Sequence, residues 1–258
     1  MTSDFCSYHG KIALLTGAAG HIAATTARML AARGASIAVV ERPGASLDFL
    51  EGEIPADRLL KLSADATDPA AVQAYVQATV DRFGRIDVFF NAAGVAGPVK
   101  RIVDYPVEDY LQVMSVNALG VFLGLKYVLP VMEKQRGGVI VNACSIAGLR
   151  GSKGASAYSA SKHAVLGLTK VAANESAGSG IRVVGIAPGP VDSPMFNAHM
   201  REQTADIDAF RELAASKIPQ GRLATGEDIA NLVCFLASDQ ASYINGVVVP
   251  IDGALTAG

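Results

Sequence analysis

Short apolar runs that alternate with helix-like segments dominate the sequence. The apolar runs read IALLTG, SIAVVE, LLKLSAD, IDVFFN, VIVNACS, IRVVGIAP and VVVPID. Each is almost continuously apolar, which is typical of parallel strands that helices cover on both faces. The repeated order of strand and helix indicates an α/β protein. We therefore predict one doubly wound Rossmann-type domain over residues 1–258, with a parallel sheet of about seven strands.

Helix signals separate these strands. After the third strand Asp68 is a natural cap, Pro69 sits in the first turn, and Gly84 ends the helix. Further helices are predicted over Ile22–Arg33, Val107–Glu133 and Ala155–Glu175, and from about Gly226.

The least regular segment, 189–221, follows the sixth strand. Open α/β sheets bind ligands beyond the carboxyl ends of their strands, so we predict a mobile substrate lid there. Met195, Phe196, Met200 and Phe210 would give this lid an apolar face, although their spacing also fits ordinary helix packing.

Charge and apolar patterning exclude several classes of partner. The formal net charge is -2 and no long Lys/Arg block occurs, so neither nucleic acid nor an anionic membrane is an expected partner. The longest apolar region is broken by Lys126 and Pro130, which argues against a membrane span. The N-terminus lacks the pattern of a signal peptide, and we expect a cytoplasmic protein.

The three cysteines, Cys6, Cys144 and Cys234, are far apart and form no CxxC motif. The four histidines show no spacing suited to a metal either. We expect buried, reduced thiols, no disulfide and no metal site.

The turn TGAAGHIA lies between the first strand and the first helix, where a dinucleotide-binding loop belongs. Gly17 and Gly20 alone would fit an ordinary tight turn. Glu41, at the end of the second strand, adds a carboxylate that can accept hydrogen bonds from an adenosine ribose and repel the additional phosphate of NADP. Arg42 beside it would attract that phosphate. The pattern favours NAD over NADP.

A second motif, YSASK, falls on the helix after the fifth strand. Tyr158 and Lys162 are four residues apart and therefore share one face of that helix. A free tyrosine has a pKa of about 10, and a nearby cation favours its ionised form. The pair suits acid/base chemistry, although in isolation it equally describes a surface pair.

From Lys11 to the C-terminus the sequence resembles the short-chain dehydrogenase/reductase family. The resemblance is carried by ordered motifs: TGAAGHIA, DAT, NAAG, VNALGVF, NACSIAG, YSASK, PGPVDSPM, GRLATGEDIANLVCFLAS and INGVVVPIDG. It implies an enzyme in which Tyr158 is the acid or base, Lys162 holds the nicotinamide ribose and lowers the Tyr158 pKa, Ser145 binds the substrate oxygen, and Asn117 holds a water.

The resemblance also implies where the cofactor lies. Contacts are expected from Gly17, Gly20, His21, Ile22, Glu41, Asp65, Ala66, Asn91, Ala92, Gly94, Tyr158, Lys162, Pro188, Gly189, Val191 and Ser193. Two positions depart from the family pattern, because His21 and Ala23 stand where glycines are usual. We expect cofactor binding to survive with altered affinity, and the His21 ring to lie beside the helix N-terminus.

The function that these residues predict is NAD-dependent interconversion of a small secondary alcohol and a ketone. The alternatives are a catalytically silent nucleotide-sensing or scaffolding relative, and an NADP-dependent ketoacyl-type reductase. Retention of Ser145, Asn117, Tyr158 and Lys162 opposes the first, and Glu41 opposes the second. The resemblance further implies a homotetramer built on the two helices that carry Gly120, Gly124, Ala160, Ala164 and Gly167, unless these residues pack on their own sheet.

Overall fold

Seven parallel strands form the sheet in this computed structural model, which describes residues 6–201, 204 and 206–257, without the side chains of 198–200. The strands are β1 Ile12–Thr16, β2 Ser36–Glu41, β3 Leu59–Ser63, β4 Val88–Asn91, β5 Gly138–Ala143, β6 Ile181–Pro188 and β7 Val248–Ile251. Their order is β3-β2-β1-β4-β5-β6-β7. The predicted doubly wound, Rossmann-type fold is confirmed. The order reverses between β1 and β4, and ligands of such sheets bind at this switch point.

Eight α-helices connect or follow the strands in the described chain. They are α1 His21–Ala32, α2 Pro69–Phe83, α3 Val107–Met114, α4 Gly120–Gln135, α5 Ser156–Ser176, α6 Pro194–Arg201, α7 Ile207–Ser216 and α8 Gly226–Ala237. The helix predicted after the third strand is confirmed: the Asp68 side chain accepts a hydrogen bond from Ala70 N, and Gly84 ends α2 with a φ of 84°.

Each face of the sheet has its own core. Leu15 and Ala13 of β1 pack with α1 and α8, whereas Leu14 packs on the other face with α2, α4 and α5. Neighbouring residues of a strand point to opposite faces, so both must be apolar when both faces are covered. This arrangement explains the continuous apolar runs in the sequence.

The predicted helix over Val107–Glu133 is formed by α3 and α4, which a π-helical turn at Ser115–Leu119 joins. By length and composition alone the segment Val107–Gln135 would suffice to cross a membrane. Its side chains Val128 and Met132 are fully buried in the core beneath the sheet, and a core helix passes the same test.

The segment 189–221 is more regular than the sequence indicated. It contains α6 and α7, and residues 202, 203 and 205 lie outside the described part of the chain. Asp206 caps α7 by accepting a hydrogen bond from Ala209 N. The rings of Phe196 and Phe210 lie 6.4 Å apart and join the two helices.

Candidate active site

The turn between β1 and α1 is fixed against the segment that follows β4. Gly17 has a φ of 66°, and a Cβ atom there would lie 2.8 Å from Ala93 Cα. The Thr16 hydroxyl oxygen accepts hydrogen bonds from Ala92 N at 3.0 Å and from Ala93 N at 3.2 Å. Only glycine at position 17 permits this close approach. The result is a backbone cradle at the N-terminus of α1, a natural place for a phosphate group.

Glu41 lies beside this cradle at the carboxyl end of β2. Its Oε2 accepts a hydrogen bond from Ala19 N at 2.9 Å, and its Oε1 accepts one from Arg42 N at 2.9 Å. The carboxylate is thus held by two backbone donors, and its charge faces the loop that approaches the phosphates of a bound dinucleotide.

The first turns of α5 carry Tyr158 and Lys162, and the segment after β5 carries Ser145. Lys162 is 4% exposed, and its Nζ donates a 2.8 Å hydrogen bond to Ala143 O while lying 5.6 Å from the centroid of the Tyr158 ring. Ser145 accepts a hydrogen bond from Ala147 N. Tyrosine, lysine and serine side chains are therefore brought together at the carboxyl edge of the sheet.

Burial controls the ionisation of these groups. It raises the pKa of Tyr158, an effect that the neighbouring Ser145 hydroxyl opposes. It lowers the pKa of Lys162 to about 8. The direction for Tyr158 is opposite to the predicted lowering by Lys162, because desolvation dominates and the ammonium group donates to Ala143 O. At neutral pH Tyr158 is a protonated phenol.

Asn117 lies in the π-helical turn and is fully buried. Its Oδ1 accepts a hydrogen bond from Val95 N at 2.8 Å, and its Nδ2 donates to Val95 O at 2.9 Å and to Ser161 Oγ at 3.0 Å. Ser161 Oγ in turn donates to Tyr158 O. Both N–H groups of the Asn117 amide are used, so its side chain joins the loop after β4 to α5. The side chain therefore has no free donor for a water, although Oδ1 keeps a second acceptor site.

A cavity of about 370 Å³ lies over these groups. Most of the predicted residues line it: Gly17, Gly20, His21, Ile22, Ala92, Gly94, Ser145, Tyr158, Lys162, Pro188, Gly189, Val191 and Ser193. The structure adds several small or apolar residues that sequence reasoning did not assign to the site: Ala19, Ala96, Ala143, Cys144, Ala155, Ile186, Pro190 and Pro194. Alanine and proline carry no chemical signal, so only their closeness to the motifs would have pointed to them.

Other predicted residues lie outside the lining of this cavity. Besides Glu41 and Asn117, these are Asp65, Ala66 and Asn91. Asn91 is buried and donates to Val121 O, a contact that ties β4 to α4. Asp65 Oδ1 accepts hydrogen bonds from the backbone N–H and the hydroxyl of Thr67, and shapes the turn after β3.

The chain matches known proteins over nearly its whole length. A family model described as enoyl-(acyl carrier protein) reductase matches residues 17–256. Levodione reductase from Leifsonia aquatica is 40% identical, and the match covers 99% of this chain and 98% of that protein. This chain belongs to the short-chain dehydrogenase/reductase family.

Further relatives agree with this assignment. The 2-(R)-hydroxypropyl-CoM dehydrogenase of Xanthobacter autotrophicus is 38% identical, with 96% of this chain and 99% of that protein covered. A crystal structure of levodione reductase superposes with a TM-score of 0.92 at 39% identity, covering 97% of this chain and 99% of that one. A crystal structure of NAD+-bound xylitol dehydrogenase superposes with a TM-score of 0.90 at 33% identity, covering 95% of this chain and 99% of that one. The protein is an oxidoreductase of the alcohol dehydrogenase and ketone reductase type, with a nicotinamide cofactor and a small-molecule substrate.

The residues present fit the dinucleotide that this family uses. Gly17 leaves the backbone cradle open, and Gly189 meets Asp252 so closely that a Cβ atom would lie 2.9 Å from Asp252 Cα. Ala23, in place of a usual glycine, is buried between α1 and the sheet and also lines the cavity.

His21, the other departure from the family pattern, presents its ring to α8. A Cβ atom on Gly226 would lie 2.6 Å from His21 Nε2, so the ring occupies the space that a side chain at position 226 would fill. The imidazole therefore packs against the first turn of α8, and the backbone of residue 21 remains available at the N-terminus of α1.

Proposed function

We propose that this protein is an NAD-dependent oxidoreductase that interconverts a secondary alcohol and a ketone, with Tyr158 as the acid and base. The observation that carries the proposal is the convergence of Tyr158, Lys162 and Ser145 on one cavity with the glycine loop. Levodione reductase and 2-(R)-hydroxypropyl-CoM dehydrogenase, by their names, act on a ketone and an alcohol.

The residues of the site have distinct parts in this chemistry. A nicotinamide, when bound, supplies or accepts the hydride at the carbinol carbon. Tyr158 donates its phenolic proton to the substrate oxygen during ketone reduction and accepts it back during alcohol oxidation. Ser145 binds the same oxygen. Lys162 places a positive charge beside the Tyr158 ring and so stabilises the phenolate that forms when the proton leaves.

A substitution at Tyr158 tests the acid/base assignment. Tyr158→Phe should bind NADH like the wild type, because the ring is kept, but should lose most alcohol oxidation. Mutation of a general acid/base typically costs about 10²–10⁴-fold in rate. Full turnover by this variant would refute the assignment. The wild-type assay also distinguishes the enzyme from the silent sensing relative, because such a relative would bind the cofactor without turnover.

Glu41 supports NAD over NADP and over the ketoacyl-type reductase. Because Ala19 N and Arg42 N hold its carboxylate beside the glycine loop, an added 2′-phosphate would meet a fixed negative charge. Titration by NADH and NADPH fluorescence measures the preference. NADH should bind more tightly than NADPH in the wild type, and Glu41→Gln should narrow the difference while keeping the shape of the side chain. Equal affinities in the wild type would count against NAD specificity.

We further propose a homotetramer, a cytoplasmic location and a lid over the site formed by residues 189–221. Buried Gly124 packs on its own sheet, since a Cβ atom there would lie 2.8 Å from Asn91 Nδ2, so it offers no contact to a partner. The support for assembly comes instead from apolar side chains exposed on α3, the π-helical turn, α4 and α5: Leu111, Leu119, Phe122 and Val171. Light scattering would distinguish a tetramer from a dimer or monomer.

A further inference from the structure

Besides Tyr158 and Ser145, the cavity is lined by a set of uncharged residues, here called the substrate end. Its residues are Ala96, Ala155, Pro190, Pro194, Met195 and Phe196. We propose that the site accepts compact, uncharged secondary alcohols and ketones and rejects substrates that carry a carboxylate, sulfonate or phosphate. This inference rests on the proposed alcohol/ketone chemistry and narrows its substrate class.

The basic side chains that line the cavity already have contacts within the protein. Among the described lining residues Lys162 is the one lysine or arginine, and its ammonium group donates to Ala143 O beside the Tyr158 ring. The His21 ring packs on Gly226. A buried substrate anion would therefore lose its hydration without gaining an ion pair, which is strongly unfavourable.

Basic residues near the loops do not enter the substrate end. Lys100, Arg150 and Lys153 are exposed and lie outside the cavity lining. Arg150 Nη1 donates to Leu255 O, toward the C-terminal segment. The side chain of His199, in α6, lies outside the described residues. The described cations thus give no support to an anionic substrate.

The size of the cavity limits the substrate as well. About 370 Å³ lies at the lower end of ligand-pocket volumes, and the nicotinamide must share it. Next to Ala155, which lines the cavity, two loops are joined, because Lys100 N donates to Gly154 O at 2.9 Å. Gly154 has a φ of 80° and contacts Val99 so closely that a Cβ atom would lie 2.7 Å from Val99 Cγ1.

Phe196 is the largest side chain of the substrate end. Its backbone N–H donates to Ser193 Oγ at 3.2 Å, and its ring contacts that of Phe210. These contacts hold Phe196 through its backbone and its ring, and the residue adds apolar lining to the cavity.

The test compares hydroxy acids with their methyl esters, which differ chiefly in charge, at saturating NAD+. Suitable pairs are 3-hydroxybutanoate and its methyl ester, and 4-hydroxycyclohexanecarboxylate and its methyl ester. The kcat/KM for the better ester should exceed that of its acid at least about 100-fold, consistent with the cost of burying an unpaired charge. Equal turnover, or a preference for the acid, would overturn the inference and leave the dehydrogenase assignment standing.

Two further outcomes separate this inference from the proposed function. Failure to bind NADH at millimolar concentration would overturn the proposed function itself. A protein that binds NADH but oxidises neither ester nor a panel of simple cyclic and acyclic secondary alcohols would overturn the substrate class.

A variant supplies the missing cation. Phe196→Arg should improve the acid-to-ester ratio of kcat/KM at least about tenfold, because the guanidinium group would pair with the carboxylate. Leu213→Arg, at an exposed position of α7, is the matched control and should leave the ratio unchanged. Met195→Arg serves as a second variant if Phe196→Arg does not fold, as judged by NADH binding. An unchanged acid-to-ester ratio of kcat/KM in folded Phe196→Arg or folded Met195→Arg would contradict the proposal.

Discussion

The burial of Lys162 makes a quantitative prediction about the stability of the protein without cofactor. Lys162 is 4% exposed, and desolvation lowers its pKa from 10.5 to about 8. At pH 7 this difference corresponds to a penalty of roughly 3 kcal/mol on the folded state, because a tenfold change in a protonation equilibrium is worth about 1.4 kcal/mol. Lys162→Met removes the charge and keeps an apolar side chain of similar length.

The substitution also removes a contact. Lys162 Nζ donates to Ala143 O at 2.8 Å, and losing that hydrogen bond costs about 1 kcal/mol. The net expectation at pH 7 is a stabilisation of about 2 kcal/mol, or roughly 4–8 °C in Tm for a chain of this size. The same variant should lose nearly all alcohol oxidation, since the phenolate of Tyr158 would lack its cation.

The pH dependence identifies the cause of this stabilisation. The penalty is complete below pH 8, where lysine is charged in both states, and fades as the pH rises from about 8 toward 10.5, where the unfolded state also loses its proton. Urea unfolding of wild type and variant at pH 7 and pH 9.5, at one protein concentration, measures the difference. The advantage of Lys162→Met should shrink to less than about 1 kcal/mol at the higher pH.

An exposed lysine of the same helix provides the control. Lys170→Met should change the free energy of unfolding by less than about 0.5 kcal/mol at either pH. A Lys162→Met variant that is less stable than the wild type at pH 7, or whose advantage does not change with pH, would refute the reasoning from burial.

Two further predictions concern proton transfer and the cofactor loop. Burial raises the pKa of Tyr158 above its ordinary value of about 10, so kcat/KM for alcohol oxidation should rise with pH and reach no plateau by pH 9, whereas ketone reduction should not rise. Stopped assays in both directions test this, and a flat oxidation profile would contradict it. Gly226→Ala should displace the His21 ring and so weaken NADH binding about tenfold. In a His21→Gly background the same substitution should weaken NADH binding only about threefold or less. Equal losses of affinity in both backgrounds, measured by fluorescence titration, would show that the two positions are not coupled.

Features governed by local rules were predictable from the sequence. The apolar runs predicted the strands, because strand residues must be apolar when helices cover both faces of the sheet. Asp68 and Gly84 predicted the two ends of α2. The spacing of Tyr158 and Lys162 on one helix placed both on the cavity. These inferences require only neighbours in sequence and the geometry of a helix or strand.

Features that depend on distant neighbours were not predictable. The sequence identified Asn117 but could not show that Val95 and Ser161 use both N–H groups of its amide. The positive charge of Lys162 predicted a lowered pKa for Tyr158. The burial that instead raises this pKa could not be read from the sequence. The destination of the His21 ring depends on Gly226, more than 200 residues away in the chain.

The glycine at position 94 shows how closely packing and chemistry are linked here. A Cβ atom there would lie 3.2 Å from Asn117 Oδ1 and 3.5 Å from Lys162 Nζ. The bare backbone at this position lets the loop after β4 approach both the amide that anchors α5 and the buried ammonium group. The same approach keeps water away from Lys162, and so helps to lower its pKa. The loop that resembles a cofactor contact in sequence is therefore also part of the environment that sets the ionisation of the site.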